Sequence, residues 1–359
     1  MRLITCLMGA SLALLASLAQ ADTVAGLYQV REPVPGQGEQ ARAEATGHAF
    51  DTLVQRLTGD AKAAQSPALA SLRQDPQPII SQFGFEGGTP ETLLVEFDPG
   101  STERALRKAG LALWGSNRPS ILGWWLFETV DGSHWVGDGQ PNAKALRRAA
   151  QHRGLPLRLP LADLQEQLLA DAKQLEGNNP AALREASERY GANALLAVHA
   201  QQAEGQWQAR WQLWLGDQRD QGTAEGADPA ALADAVMLAI GTRLAPRYVV
   251  RPGSSGSVQV RVQDMNLARY AELGRVLEAY APRLQQVTGD TLTYAVSGNR
   301  EQLRAQLALG TLQEIQSAAE PVPAGAAPVA TAPAITASGA DNEPTAAPEP
   351  AFEGLQFRW

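Results

Sequence analysis

The sequence predicts an α+β or α/β protein of two or three small mixed-sheet domains, followed by a disordered linker rich in alanine and proline and a short apolar, strand-like tail. Two observations support this prediction. Short runs with apolar residues at every second position, typical of strands, alternate with longer runs of helical periodicity. Clusters of proline and glycine separate these runs and mark turns. Such alternation is typical of sheets packed against helices.

These breaks and changes in composition divide the chain into seven segments. We predict a signal peptide at 1–21, an N-terminal α/β domain at 22–117, a middle α/β domain at 118–250, a linker at 251–256, a C-terminal domain of split-βαβ type at 257–316, the disordered linker at 317–351 and the tail at 352–359. A chain of 359 residues can stabilise more than one domain through core burial.

The first 21 residues have the layout of a cleavable secretion signal. Arg2 supplies a weakly positive start, and residues 3–18 form an apolar run without a charged side chain. Small residues at Ala19 and Ala21 occupy the positions that a signal peptidase recognises. The alternative is an uncleaved anchor, but the run is short for a span of about 20 residues. We therefore expect export and a mature chain that is periplasmic.

Removal of the signal changes the chemistry of the chain. The only cysteine, Cys6, lies inside the signal, so the mature chain would hold no disulfide, catalytic thiol or thiolate metal site. No later stretch is apolar for long enough to span a membrane. The net charge of −8 becomes −9 without Arg2, because 29 basic residues then face 38 acidic ones. Nucleic acid is a poor partner for such an acidic chain.

Periodicity and capping signals predict the elements of each domain. The first domain has strands at 24–30 and 92–97, and helices at 39–57, closed by Gly59, and at 102–109. The middle domain has strands at 120–127, 134–136, 155–159, 194–200 and 206–215, a basic helix at 143–152, and helices begun by Asn179-Pro180 and Asp228-Pro229. The third has strands at 258–262 and 292–296, a helix carrying Tyr270, Leu273, Leu277 and Tyr280, and a helix at 301–309.

Motifs for catalysis, cofactors or metals are close to absent, and no residue is assigned to any of these roles. The four histidines, His48, His134, His152 and His199, fall on different elements without ligand spacing. Residues 36–41 fit the Gly-x-Gly-x-x-Ala pattern of dinucleotide sites, but two prolines interrupt that turn, which favours a flexible connection. A carboxylate pair that cleaves glycans stays possible, although no spacing identifies one.

Seven tryptophans between Trp114 and Trp214 could stack on sugars. Strand alternation assigns most of them to a core face instead. Trp125 and Trp214 are flanked by neighbours on the opposite face, so we predict that these two are the more exposed.

The C-terminal tail is the sharpest functional signal. Its spacer, 317–351, cannot bury enough apolar surface to fold and, if extended, reaches on the order of 100 Å. The tail resembles the C-terminal signal of outer-membrane barrel strands and the aromatic C-termini that periplasmic PDZ domains bind. It adds as a strand either to a partner, an unknown envelope protein, or to the chain's own sheet. The predicted partner-binding residues are Phe352, Leu355, Phe357 and Trp359.

Three segments carry a resemblance to a known family. Residues 28–30, the helix end at 56–59 and the stretch 114–119 before a tryptophan-rich strand resemble the proteobacterial DUF2066 proteins. The likeness runs from about 22 to 315 and implies an envelope protein without an assigned activity. Residues 190–195, with the hairpin that follows, are similar to TolB-N-terminal and CsgG-like periplasmic α/β domains, which is an analogy of fold alone.

The leading functional hypothesis is a soluble periplasmic protein with a non-catalytic binding or assembly role. It depends on the signal, the small α/β domains and the tethered tail. One alternative is a periplasmic hydrolase that acts on a glycan or peptidoglycan through a carboxylate pair. A second alternative is a structural spacer between the two membranes.

Overall fold

The computed structural model describes residues 24, 26–169, 172–177, 179–251, 257–280, 282–310, 312–315, 352 and 354–359. The predicted signal peptide and the predicted disordered linker lie outside these residues. Among the residues described, no helix is both long and apolar enough to cross a membrane.

The first unit is a three-stranded antiparallel sheet packed against a long helix. Its elements are β1 (Gln29–Val34), α1 (Glu39–Thr58), α2 (Ala70–Gln74), β2 (Ile80–Glu86), β3 (Glu91–Phe97) and α3 (Pro99–Lys108). The strand order is β1-β3-β2. Phe50, Leu53 and Leu57 recur along α1 and are buried against the sheet. Gly59 ends the helix with φ +70°, the left-handed cap that the sequence predicts.

Two strands of this unit differ from their predictions. The first strand begins at Gln29 and runs through Pro33, because its register is set by β3, with Gln29 opposite Glu96. Proline is tolerated there since β1 lies at the sheet edge, where a missing N–H costs no ladder bond. The prediction missed β2, whose Ser81, Gln82 and Gly84 hide any apolar alternation.

The second unit holds a six-stranded sheet. Its elements are β4 (Ile121–Thr129), β5 (Gly132–Trp135), α4 (Ala143–His152), β6 (Leu157–Arg158), α5 (Leu164–Leu169), α6 (Ala172–Glu176), α7 (Ala181–Ser187), β7 (Ala194–Ala203), β8 (Gln206–Leu215), β9 (Gln218–Gly226) and α8 (Pro229–Tyr248). The order is β5-β4-β7-β8-β9, with β6 beside β4. Parallel pairing joins β4 to β6 and β7, and the other pairs are antiparallel.

Helices cover both faces of this sheet, which corrects the prediction for two tryptophans. Trp125 is fully buried in the core that includes residues of α4 and α8. Trp214 is 4% exposed and belongs to a second core, with Leu175 of α6 and Leu183 of α7. The prediction that these two are the more exposed tryptophans is wrong because it assumed one solvent-facing side, whereas this sheet has a core on each side.

The third unit is a five-stranded sheet that includes the C-terminal tail. Its elements are β10 (Ser257–Gln263), α9 (Leu267–Leu277), β11 (Arg283–Thr288), β12 (Thr291–Ser297), α10 (Arg300–Leu309), β13 (Gln313–Glu314) and β14 (Leu355–Arg358). The order is β11-β12-β10-β14-β13. The tail strand β14 runs parallel to β10 and antiparallel to β13. The side chains of α9 and α10 pack on one face.

The three sheets with their helices confirm the predicted α+β class with small mixed-sheet units. Two of the sheets mix parallel and antiparallel pairs, and the first is antiparallel. The domain boundaries stay predictions.

Candidate functional site

A cavity of about 380 Å³ lies where the three units meet, and we call it the junction cavity. Its wall is formed by residues of the first unit, of the segment that follows it, of the end of the second unit and of the third unit. The lining residues that matter below are Tyr28, Glu103, Arg107, Trp114, Ser116, Asn117, Tyr248, Arg275, Glu278 and Tyr280. Its size suits a small molecule, and ligand sites form preferentially at such junctions.

Backbone hydrogen bonds hold the segment after the first unit in this wall. Leu113 and Val250 exchange two of them, at 3.0 and 2.8 Å, which ties the segment to the end of the second unit. The amide of Trp114 donates to the carbonyl oxygen of Leu57 at 2.6 Å, at the end of α1. The Trp114 ring stacks on that of Tyr248, with centroids 5.7 Å apart and planes inclined by 8°. These contacts place Trp114 between the first and second units.

Arg118 lies behind this wall with no exposed surface. Its guanidinium donates to five backbone carbonyl oxygens, at 2.8 Å to Arg56, at 3.0 Å to Trp114, Gly115 and Gly154, and at 3.4 Å to Arg153. It also lies 4.2 Å from the centre of the Trp114 ring. Burial lowers the pKa of Arg118 to about 9, and the neighbouring charge of Arg56 adds to this effect. The side chain is therefore still a cation at neutral pH.

Arg56, in the last turn of α1, is a second buried cation. It donates to the carbonyl oxygens of Leu27 and Gln29 at 2.8 Å and of His152 at 3.1 Å. Burial lowers the pKa of Arg56 to about 10, although the charge of Glu32 opposes that shift. Neither Arg56 nor Arg118 forms an ion pair with a described carboxylate. Two guanidinium charges are thus held mainly by carbonyl dipoles, which leaves positive charge uncompensated in a region of low dielectric.

Three polar atoms of the lining residues have no hydrogen-bond partner among the described residues. They are Trp114 Nε1, Asn117 Nδ2 and Tyr280 Oη, and all three are buried. A buried polar group without a partner costs about 1–3 kcal/mol of stability. A bound molecule with acceptor atoms would offset part of this cost, so these groups favour a ligand that accepts hydrogen bonds.

The ionised groups of the lining are only partly paired. Glu103 accepts a hydrogen bond of 2.6 Å from the Tyr28 hydroxyl and forms an ion pair of 2.8 Å with Arg107. Burial, together with this hydrogen bond, raises the pKa of Tyr28. Arg275 of α9 bonds only to a carbonyl of its own helix, at 3.4 Å, and has no ion pair in the described part of the chain. The cavity therefore combines aromatic walls, free donors and an unpaired cation.

A second concave region lies between β1, α4 and α8. It encloses about 300 Å³. Glu32 is its buried acid, with Oε1 2.8 Å from the donating Thr52 hydroxyl and 3.3 Å from His152 Nε2. The other ring nitrogen of His152 lies 3.9 Å from Asp234 Oδ1. Burial alone would raise the pKa of Glu32, but the hydrogen bonds from His152 and Thr52 outweigh it and hold the pKa below its usual value.

His199 also lies between carboxylates. It is 4% exposed, with Nδ1 2.8 Å from Glu176 and Nε2 2.7 Å from Glu128. Its two ring nitrogens contact carboxylates on different elements, Glu176 of α6 and Glu128 of β4, so the arrangement joins α6 to the sheet and gives no common centre for a metal. The described residues contain no group of three metal-ligating side chains.

The tail residues predicted to bind a partner lie in and beside the third sheet. Leu355 and Phe357 are buried in its core, at 2% and 1% exposure. Phe352 lies 4.0 Å from the Arg261 guanidinium, and Trp359 is partly exposed, 5.9 Å from that of Arg269. The structure thus has the tail on the chain's own sheet. A role in binding a partner stays a prediction, and in this arrangement Leu355 and Phe357 are not accessible to one.

Sequence reasoning missed the junction cavity because its residues are dispersed along the chain. Tyr28, Trp114, Tyr248 and Tyr280 come together only through the contacts between units. Contacts between units leave no periodic signal in the sequence that could have identified it.

A family model described as "Domain of unknown function (DUF8605)" matches residues 21–115. No curated protein and no solved structure matches the chain. The resemblance to DUF2066 proteins is therefore wrong, and nothing supports the likeness to TolB-N-terminal or CsgG-like domains. The residues that carried it have structural roles: Arg56 binds carbonyl oxygens, Gly59 caps α1 and Trp114 packs between units. The matched range contains α1 and ends next to Trp114, so it includes one wall of the junction cavity.

Proposed function

We propose that the chain is an exported, soluble protein of the bacterial envelope with a binding or assembly role in the periplasm, and that it binds its ligand in the junction cavity. The layout of residues 1–21 supports export. The shared wall of the cavity carries the binding proposal, because a molecule there touches all three units at once.

Such a ligand would stabilise the arrangement of the units. Binding to the native state alone adds RT ln(1 + [L]/Kd) to its stability. Since Trp114, Tyr248 and Tyr280 belong to separate parts of the chain, a ligand that contacts them opposes separation of these parts. This is the behaviour expected of a binding or assembly factor whose partner recognises the assembled form.

Native mass spectrometry of the mature chain, after incubation with the small-molecule fraction of a periplasmic extract, tests the binding proposal. We expect an added mass on the wild-type chain. Ser116→Trp, at an exposed position of the cavity lining, should abolish it by filling the space. Ser133→Trp, on exposed β5, adds the same bulk elsewhere and should keep it. An unliganded wild-type chain, or equal loading of both variants, would contradict the proposal.

Fractionation and N-terminal sequencing test export. We expect the protein in an osmotic-shock fraction, with Asp22 as its first residue. A chain that starts at Met1 and stays with the membranes would instead make residues 3–18 an anchor.

A hydrolase is the second candidate, because two carboxylates, Glu103 and Glu278, line the same cavity. One of them would have to donate a proton while the other stays ionised. Digestion of peptidoglycan and a glycan panel by the mature chain, lost in Glu103→Gln and in Glu278→Gln, would favour this candidate. Absence of any cleavage would remove it.

A further inference from the structure

The positive charges near the junction cavity are only partly balanced by carboxylates. Arg56 and Arg118 are buried, and both donate to carbonyl oxygens rather than to carboxylates. Arg118 contacts the cavity wall directly, since its guanidinium stacks on the Trp114 ring at 4.2 Å. Tyr28, which lines the cavity, is near enough for the charge of Arg118 to favour its ionised form. A positive potential therefore extends from behind this wall into the cavity.

The third unit supplies a cation that can contact a ligand, since Arg275 lines the cavity. Arg275 is an exposed residue of α9 and has no ion pair among the residues described. Arg107 is neutralised by Glu103, so these two groups contribute little net charge. Among the lining residues, Glu278 is then the one carboxylate not paired with Arg107, and its single negative charge is smaller than the two positive charges of Arg56 and Arg118. An anion is thus favoured over a cation in this space.

Aromatic rings and unpartnered donors shape the rest of the wall. Tyr28, Trp114, Tyr248 and Tyr280 supply flat apolar surface. Trp114 Nε1 and Tyr280 Oη are buried donors without partners in the described part of the chain. Carboxylate oxygens accept hydrogen bonds from N–H and O–H groups and pair with guanidinium in a planar arrangement.

From this combination we infer that the junction cavity binds a small organic carboxylate with a flat, apolar body. Its carboxylate pairs with Arg275 and accepts from the donors of Trp114 and Tyr280, and its body packs on the aromatic rings. The cavity volume of about 380 Å³ accommodates a molecule of this kind. This inference rests on the proposed binding function and names its ligand class.

Isothermal titration of the mature chain with phenylacetate and with phenylacetamide tests the inference. The two probes have the same size and ring and differ in charge. We expect phenylacetate to bind at least about tenfold more tightly, because a charged pair with guanidinium is lost in the amide. Arg275→Gln should remove that tenfold preference, and Tyr280→Phe should weaken phenylacetate binding severalfold. Arg243→Gln, at an exposed position of α8 outside the cavity, is the control and should leave both affinities unchanged.

Two outcomes overturn the inference. If both probes bind wild type equally, the cavity does not select a carboxylate, while the binding function itself stands. If neither probe binds at millimolar concentration, the flat carboxylate is excluded as a ligand, and the mass-spectrometric comparison of Ser116→Trp with Ser133→Trp decides separately whether the cavity binds any ligand.

Discussion

The guanidinium of Arg118 lies 4.2 Å from the centre of the Trp114 ring and donates to the carbonyl oxygen of Arg56 at 2.8 Å. One side chain of the second unit thus contacts both the cavity wall and the end of α1. Because Arg56 in turn donates to carbonyls near β1 and to that of His152, the two arginines join the first and second units through backbone acceptors.

Replacement of Arg118 should therefore destabilise the chain strongly. Arg118→Met keeps much of the side-chain volume and leaves several buried carbonyls without a donor. Each lost hydrogen bond is worth about 1 kcal/mol, so we expect the free energy of unfolding to fall by about 3 kcal/mol or more. Urea unfolding measures this. Arg243→Met, on the exposed surface of α8, should change it by less than about 0.5 kcal/mol. Equal effects of the two variants would refute the role of Arg118 in joining the units.

Gly59, at the end of α1, lies directly against α8. A Cβ atom at Gly59, where φ is +70°, would lie 2.0 Å from Cβ of Ala245 on α8. Gly59→Ala therefore adds a steric clash, worth about 1–3 kcal/mol, to the strain of a left-handed alanine.

Gly110→Ala is the matched control, because φ is +80° there and no atom lies within 4 Å of the added Cβ. It should cost about 1 kcal/mol from backbone strain alone. The difference between the two melting midpoints measures the contact of Gly59 with Ala245. A larger loss in Gly110→Ala would show that the two helices are farther apart in solution.

Acid should weaken the pairing of Glu32 with His152 and Thr52. The pKa of Glu32 is lowered in the folded state, so its contribution to stability is present above the unfolded pKa, about 4.3, and is lost as the pH falls through the folded value. Urea midpoints between pH 7 and pH 3 should therefore drop more steeply for wild type than for Glu32→Gln. Glu225→Gln, on exposed β9, should keep the wild-type slope. Parallel curves for wild type and Glu32→Gln would contradict this assignment.

The sequence predicts α1, α4 and the hairpin of β7 and β8 within a few residues, because each has strong local signals. Capping by Gly59 and alternation around Trp211 are such signals. Strand β9 was missed since it contains almost no large apolar residue. It forms because each of its residues, from Gln218 to Gly226, pairs with a residue of β8. Gly222 permits this pairing, as a Cβ there would lie 2.5 Å from the Trp211 ring.

The two concave regions were harder to predict than the fold. Glu32 and His152 are 120 positions apart, and no spacing rule connects them. The burial of Trp125 and of Trp214 depends on a helix pair on each side of the sheet, which local alternation does not show. Contacts between units are nonlocal, so they leave no periodic signal in the sequence.

The tail prediction concerns Phe357, whose side chain is 1% exposed in the third sheet. Phe357→Ala should lower the stability of the third unit by about 3–5 kcal/mol, the usual cost of such a core truncation. Gln356→Ala, at the next position, keeps the backbone pairing of β14 and should cost less than about 1 kcal/mol. Thermal unfolding of both variants measures the difference.

A chain that ends at residue 351 extends this test to the whole tail. It loses the burial of Leu355 and Phe357, about 1.5–3 kcal/mol each, and regains the entropy that is lost when β14 is held beside β10. We therefore expect the free energy of unfolding to fall by a few kcal/mol. The truncated chain should still capture envelope proteins in a pull-down, because the rest of the chain stays folded. If the truncated chain melted like wild type but lost one captured protein, the tail would serve that partner instead. If it changed neither property, both roles of the tail would be excluded.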